Sequence, residues 1–335
     1  MNVLVVGLGS IGKRHLTNIF RVDSGARVTV WHQSGRLHPD ESLHPGVEVV
    51  NTFDDAIRAN PQVAILSNPA SAHVQTAVSL AELGIHLLIE KPLSNRLDRI
   101  EQLVATCREH SVQVMLGYNF RFYQPLMVMR QAMLNQAIGK VLFARAEVGQ
   151  YLPDWRPGQD YRQVVSARQD LGGGVLLELS HEVDYSRWFF GEVAAVSATV
   201  QRIGRLEIDV DDYAEMILEY DSGIFQSIHL DMLRRAPKRV FEINGENGIL
   251  VWDGISHEVS LFSAEKRHWS KIFTDDALDR NEMYLAELRH FFACVRQNCQ
   301  PAPGLLDGIQ ALEVIFAAQR AEERGCRVPV KRIGS

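Results

Sequence analysis

The first twelve residues constrain the fold most. Val3-Leu4-Val5-Val6 is a short apolar run, Gly7-Leu8-Gly9-Ser10-Ile11-Gly12 follows it at once, and the pattern then turns helical. A strand, then G-x-G-x-x-G, then a helix is the opening of a βαβ unit that holds a dinucleotide. Gly7 suits a tight turn, Gly9 lets backbone approach a pyrophosphate, and Gly12 lets helix and strand pack closely. Amide groups at the helix start, around Ser10 and Ile11, then face the phosphates, where the helix dipole favours negative charge. The competing reading is a glycine-rich turn that merely starts an α/β domain.

The pattern that follows supports the first reading. Strands are expected at Arg27–Trp31, Val47–Val50, Val63–Leu66, Ile85–Ile89 and Val112–Leu116. Helices are expected between them, at Ile11–Phe20, Phe53–Asn60, from His73 onward, and at Leu97–His110. Such alternation gives a doubly wound parallel sheet of the Rossmann kind, an α/β domain over residues 1–120. Beyond it come a connecting helix at Tyr123–Gln136 and a strand at Val141–Val148. A long aperiodic stretch, Gly149–Gln169, follows; loops of that length are usually functional or disordered, and its aromatic content argues for function. Gly172-Gly173-Gly174 opens a helix read as Val175–Phe190. Consecutive strands with tight turns, from Val193 to Phe262, imply a large, mostly antiparallel sheet. Helices at Asn281–Gln297 and Leu305–Arg324 end the chain. Residues 121–335 are thus read as an α+β domain for substrate binding and oligomerisation.

A chain of 335 residues favours two domains, and 46% apolar residues is enough to fill both cores. A net charge of −6 offers no basic footprint for nucleic acid. No apolar stretch is long enough to span a bilayer, and the N-terminal apolar run breaks at Gly7, unlike a secretory leader. Cys107, Cys294, Cys299 and Cys326 form no C-x-x-C pair and no metal-ligand spacing with histidine, so no metal is expected. They read as reduced thiols in a cytoplasmic protein.

In open parallel sheets ligands bind beyond the carboxyl ends of the strands. Lys91 stands at such an end, where its ammonium can hold a substrate hydroxyl and stabilise the alkoxide formed as hydride leaves. A surface lysine paired with Glu90 is the alternative. His181 is three residues from both Glu178 and Asp184, and either carboxylate can orient its ring for acid–base work; a satisfied interface histidine is the alternative. In the helix as read, Leu177, His181, Asp184, Tyr185 and Trp188 share one face. Arg156, Arg162 and Arg168 suggest an anionic substrate, unless they are solvated loop charges. NAD-selective folds place an acid about 20 residues past the last glycine. That count from Gly12 reaches His32, and no acid follows in Gln33-Ser34-Gly35-Arg36. Ser34 and Arg36 suit a 2′-phosphate, which favours NADP over NAD.

Several marks in order give a family resemblance. They are the N-terminal glycine motif with His15, Asn68-Pro69 with His73, Glu90-Lys91-Pro92-Leu93, Gly117-Tyr118-Asn119-Phe120-Arg121-Phe122, and Gly172-Gly173-Gly174 with His181 and Asp184. Together they resemble the Gfo/Idh/MocA oxidoreductases over nearly the whole chain. The resemblance implies an NAD(P)-binding domain followed by an α+β domain whose open sheet face makes a homodimer or homotetramer. It implies oxidation of a sugar or cyclitol carbinol, or the reverse reduction. Lys91 matches the family's catalytic lysine and His181 its acid–base histidine. Asn68, Pro69, His73, Glu90 and Asn119 fall about the cofactor, and Tyr118 and Asp184 about the substrate. Many members carry an aspartate four residues before the histidine; here that position is Leu177, and Glu178 is the candidate replacement. The loop pattern resembles members tied to surface-polysaccharide and nonulosonate sugars. Two other functions fit the same frame: an enzyme that keeps NAD bound and uses transient oxidation for glycoside cleavage or elimination, and a non-catalytic dinucleotide-binding regulator.

Overall fold

The computed structural model describes residues 1–32, 44–275 and 277–332. Ser34 and Arg36, the expected 2′-phosphate residues, lie outside the described residues. The chain divides into two compact units, one of Met1–Asn119 with Asn281–Gly308, the other of Phe120–Arg280 with the residues from Ile309 onward.

In the first unit six parallel strands stand in the order β3-β2-β1-β4-β5-β6. They are β1 (Asn2–Val6), β2 (Arg27–Trp31), β3 (Val47–Val50), β4 (Val63–Leu66), β5 (His86–Ile89) and β6 (Val114–Leu116). The two central strands, β1 from Val3 onward and β4 throughout, are runs of Val, Leu, Ala and Ile with almost no exposure, as expected of a sheet covered on both faces. Helices α1 (Ser10–Val22), α2 (Phe53–Arg58), α3 (Ala70–Ala81) and α4 (Ile100–Glu109) alternate with them. The order 3-2-1-4-5-6 is that of a dinucleotide-binding sheet. Register then does the placing. Val6 pairs with Leu66, Leu66 with Ile89, and Ile89 with Leu116. The residues that follow, Gly7, Ser67, Glu90 and Gly117, therefore emerge in one row at the carboxyl edge.

The second unit is built on nine strands in the order β14-β13-β12-β11-β7-β10-β9-β8-β15. These are β7 (Val141–Gly149), β8 (Val193–Gln201), β9 (Tyr213–Tyr220), β10 (Phe225–Asp231), β11 (Lys238–Gly245), β12 (Gly248–Asp253), β13 (Glu258–Ser263), β14 (His268–Phe273) and β15 (Val328–Pro329). Only β7 and β10 run parallel to each other; the other neighbours are antiparallel. Ala144, Ala146, Met216, Leu218, Ile228, Phe241 and Trp252 face the core, as period-two alternation requires. The remaining helices are α5 (Gln124–Leu134), α6 (Val175–Glu178), α7 (His181–Phe190), α8 (Asn281–Gln297) and α9 (Leu305–Arg324).

Four expectations need correction. The helix read as Val175–Phe190 is two helices, α6 and α7, divided at Leu179 and Ser180, where Leu179 takes φ −100° and ψ 30°. Leu177 and His181 therefore do not share one continuous helical face. Strand β14 was hidden because four of its six residues are exposed and carry no alternating apolar signal. The helix expected from Leu97 starts at Ile100, because Arg99 takes a left-handed φ of 62°. Finally, a single cut at residue 120 assigns α8 to the second domain, whereas α8 packs on α1 in the first unit.

Candidate active site

At the start of the first unit, Gly7 has φ +88°, and a Cβ there would lie 2.9 Å from the Asn68 backbone nitrogen. A Cβ on Gly12 would lie 2.3 Å from the Gly7 carbonyl oxygen, so both positions require glycine. Gly9 differs: it is the N-cap of α1, it is exposed, and a Cβ would meet nothing within 4 Å. No side chain caps α1 and no acid sits in its first turn. Ser10 and Ile11 thus begin a thirteen-residue helix whose N-terminus is open to an anion. The Ser67 hydroxyl, 2.9 Å from the carbonyls of Val6 and Gly7, braces the turn from β4. Beside it the Asn68 Oδ1 is buried and has no hydrogen-bond partner among the described residues. An open glycine turn, an uncapped helix start and an orphan acceptor at the next strand end fit a dinucleotide. Just after β2, at the position where NAD-selective folds carry an acid, stands His32, whose backbone N–H donates to the Val50 carbonyl (3.0 Å).

Lys91 is half-buried at the end of β5, and its bond to Pro92 is cis. Two neighbours expected at the cofactor, His73 and Glu90, bond to this turn. His73 is 1% exposed, with Nδ1 3.0 Å from the Pro92 carbonyl and Nε2 2.8 Å from the Asn68 carbonyl. It staples the end of β4, where Pro69 precedes α3, to the Lys91–Pro92 turn. Burial pushes its pKa down, so the ring is neutral and donates to one carbonyl at a time. Glu90 is 7% exposed, and its carboxylate accepts from His15 Nε2 (2.6 Å) and from the Lys91 N–H (3.2 Å). Gly117 leaves room for it, since a Cβ there would lie 2.9 Å from Glu90 Oε2. Tyr118 and Asn119 follow, both buried.

Sequence reasoning missed two partners on α8. Tyr284 lies under the Arg14 guanidinium (4.5 Å) and edge-on to His15 (6.4 Å between ring centres). Glu287 is fully buried with no hydrogen-bond partner on either oxygen among the described residues. Burial, and secondarily the Glu90 charge, holds its pKa well above the ordinary carboxyl range. A repeat of buried positions along α8 was readable; the burial of Glu287 among them was not.

In the second unit His181 begins α7, half-buried, its ring 4.7 Å from that of Phe120. Asp184, expected at the substrate, is buried and accepts a two-pronged bond from Arg121, Nε to Oδ2 at 3.0 Å and Nη2 to Oδ1 at 2.7 Å. Glu182 is buried 3.0 Å from Arg239 Nε, and the Arg239 guanidinium lies 4.9 Å over the Phe120 ring. Two of the three acids around His181 are thus committed to arginines, and Phe120 ties both arrangements to the histidine. Arg121, Glu182 and Arg239 form buried or half-buried contacts around His181 that sequence spacing did not single out. Glu178 ends α6, half-buried, on the other side of the helix break from His181. The glycine triplet serves packing: a Cβ on Gly173 would lie 2.3 Å from the Val165 carbonyl oxygen, and Gly174 donates its N–H to Ser166 O (3.2 Å).

The loop arginines separate. Arg162 is held by Asp160 (2.8 Å) and Glu207 (2.8 Å), and Arg168 by Asp170 (2.7 Å). Arg156 is exposed. Among the described residues no cluster of histidine, cysteine and acids could hold a metal ion, and no helix is long and apolar enough to cross a membrane.

Comparison with known proteins supplies the remaining context. Residues 1–118 match the oxidoreductase family with an NAD-binding Rossmann fold, and residues 126–251 match the GFO/IDH/MocA C-terminal domain. The chain is 27% identical to the myo-inositol 2-dehydrogenase of Thermotoga maritima, covering 99% of both chains. It is 22% identical to the levoglucosan dehydrogenase of Pseudarthrobacter phenanthrenivorans, covering 100% of this chain and 99% of that one. Levoglucosan dehydrogenase in complex with NADH is similar in fold, with a TM-score of 0.87 at 19% identity over 99% of this chain and 100% of that one. So is the WlbA dehydrogenase from Bordetella pertussis in complex with NADH and UDP-GlcNAcA, with a TM-score of 0.81 at 21% identity over 99% and 98%. With both halves of the chain matched, it belongs to the Gfo/Idh/MocA family of oxidoreductases.

Proposed function

We propose that this protein moves hydride between a nicotinamide dinucleotide and a carbinol or carbonyl of a sugar, cyclitol or sugar-nucleotide derivative. One observation carries the reading: strand register delivers the open Gly9 turn, the orphan Asn68 acceptor and Lys91 to a single edge of the parallel sheet. Bound nicotinamide supplies the hydride acceptor or donor. Gly9, Ser10 and Ile11 hold the pyrophosphate, with Asn68, Pro69 and Asn119 nearby. Lys91 holds and polarises the substrate oxygen, stabilising the negative charge that develops there. His181 carries the proton, its ring fixed by Phe120 and its neighbouring acids by Arg121 and Arg239. Glu178, at the end of α6, is the candidate acid to tune it, and Tyr118 lines the substrate side. The names of two relatives, a myo-inositol and a levoglucosan dehydrogenase, support the polyol class.

Lys91→Ala should lower turnover by orders of magnitude while NADH titration shows binding retained. Turnover near that of the parent would remove Lys91 from the chemistry. Cofactor choice follows from the end of β2, where His32 stands in place of an acid. NADP is favoured, with Ser34 and Arg36 at its 2′-phosphate. Arg36→Ala should weaken NADPH more than NADH in direct titration, and equal losses would sink that assignment.

The open face of the second sheet carries Phe143, Ile217 and Phe225, each between 41% and 52% exposed, and suits self-association into a dimer or tetramer. The four free thiols suit a cytoplasmic protein. A second reading draws on one relative, the 2,7-anhydro-N-acetylneuraminate hydratase of Mediterraneibacter gnavus, 23% identical over 74% of this chain. A chain of that kind would retain NAD through purification and show no net change in nicotinamide absorbance on turnover.

A further inference from the structure

The end of α8 closes with a left-handed residue and two backward hydrogen bonds. Asn298 takes a φ of 51°, its N–H donates to the Val295 carbonyl (3.4 Å), and the Cys299 N–H donates to the Cys294 carbonyl (3.0 Å). Such a closure turns the chain back on the helix and brings the side chains at its two ends into contact. Here both are cysteines, and their thiols hydrogen-bond to each other. Cys299 is exposed and Cys294 is 4% exposed. One turn earlier, the ring nitrogens of His290 lie 3.7 and 4.0 Å from the Cys294 Sγ. The nearer one, Nε2, accepts from the Ala302 N–H (3.2 Å). Burial lowers the pKa of His290, so the ring is neutral and can take a proton. Burial, and secondarily Cys299, pushes the Cys294 thiol up to about 11.

The other helix end offers a contrast. In α9, Gly325 takes a φ of 60°, its N–H donates to the Glu322 carbonyl (3.2 Å), and the Cys326 N–H donates to the Ala321 carbonyl (3.3 Å). Cys326 is exposed like Cys299, but the position opposite it in the closure is an alanine. Cys107 is buried, and burial pushes its thiol up to about 12.

We propose that Cys294 and Cys299 are a redox-active pair that closes to a disulfide by exchange with a small-molecule disulfide and reopens with the matching thiol. Cys299, the exposed member, loses its proton and attacks one sulfur of the reagent, which releases one small thiolate and leaves a mixed disulfide. Cys294 then passes its proton to His290, and its sulfur attacks the Cys299 sulfur and expels the second small thiolate. The two leaving thiolates take up the two protons, so two protein thiols are oxidised as one small disulfide is reduced. The bond braces the segment that lies along β6. There the Leu116 N–H donates to the Pro303 carbonyl (2.9 Å), and the Gln113 side-chain amide donates to Asn298 Oδ1 (3.1 Å).

Incubating the full chain with oxidised glutathione, followed by acid quench, alkylation and peptide mass mapping, tests the pair. Cys294 and Cys299 should be recovered linked, lighter by two hydrogens and without glutathione, and dithiothreitol should restore both thiols. Cys326 should carry glutathione in the same sample. In Cys294→Ala, Cys299 should keep its glutathione as Cys326 does. Hydrogen exchange at the Leu116 amide should slow in the oxidised protein. Glutathione left on Cys299 in the parent would overturn the pair, as would two unreacted thiols where Cys326 has reacted. A disulfide that forms only in denaturant would also overturn it, since the folded closure is what brings the sulfurs together. Unchanged exchange at Leu116 in the linked protein would overturn the brace on β6.

Discussion

Glu90 and Glu287 lie in the same buried region of the first unit with different partners. Glu90 has His15 and the Lys91 N–H; both oxygens of Glu287 lack a hydrogen-bond partner among the described residues. Water would stabilise an ionised Glu287, and burial removes it, so the folded chain favours the protonated form. The consequence for stability has a definite sign. A carboxyl whose folded pKa is raised contributes most below its unfolded value of 4.5, and that contribution is lost as pH rises toward the folded value. Glu287→Gln keeps the shape without the proton. Denaturant unfolding should therefore show the variant gaining on the parent as pH rises from 4 to 8; a parallel pH dependence would mean Glu287 is not protonated in the fold. Single residues of this kind were poorly legible in the sequence. His15, Glu90 and Glu287 stand far apart in the chain, and only the packing of α8 on α1 brings them into one region. Lys91 was legible because one strand end sufficed to place it.

At the scale of elements, the carboxyl ends of the parallel strands were legible, while β5 and β6 begin at His86 and Val114, after the expected Ile85 and Val112. Val63–Leu66 is buried throughout and Arg27–Trp31 in its middle, so hydrophobic run and element coincide there. The helix break at Leu179 was not legible, because neither glycine nor proline marks it. What it serves is side-chain placement: after the turn, α7 presents Glu182 to Arg239 and Asp184 to Arg121. The Arg121–Asp184 pair fastens the short helical turn at Asn119–Phe122 to α7, with Asp184 fully buried and Arg121 11% exposed at its side chain. Removing one member breaks a largely buried pair, at about 3 kcal/mol for one whose arginine keeps some solvent. Asp184→Ala should lower unfolding stability by about that much and impair catalysis through His181. A stability change near zero would show that the pair does not hold α7.

At the scale of the molecule, each unit carries part of the proposed machinery. The first presents Gly9, Asn68 and Lys91 beyond the carboxyl ends of its parallel strands; the second presents His181 on α7. The division of labour was legible in the change from alternating strands and helices to consecutive strands. The return of α8 to the first unit was not, because an amphipathic helix does not name the surface it covers. The most direct measurement is the absorbance of reduced nicotinamide when the purified protein meets NADP or NAD with myo-inositol and related polyols and sugar acids. The expected result is cofactor reduction with at least one of them, abolished in Lys91→Ala although that variant still binds the dinucleotide. Bound cofactor with no absorbance change for any carbinol, and no difference between Lys91→Ala and the parent, would contradict hydride transfer at this site.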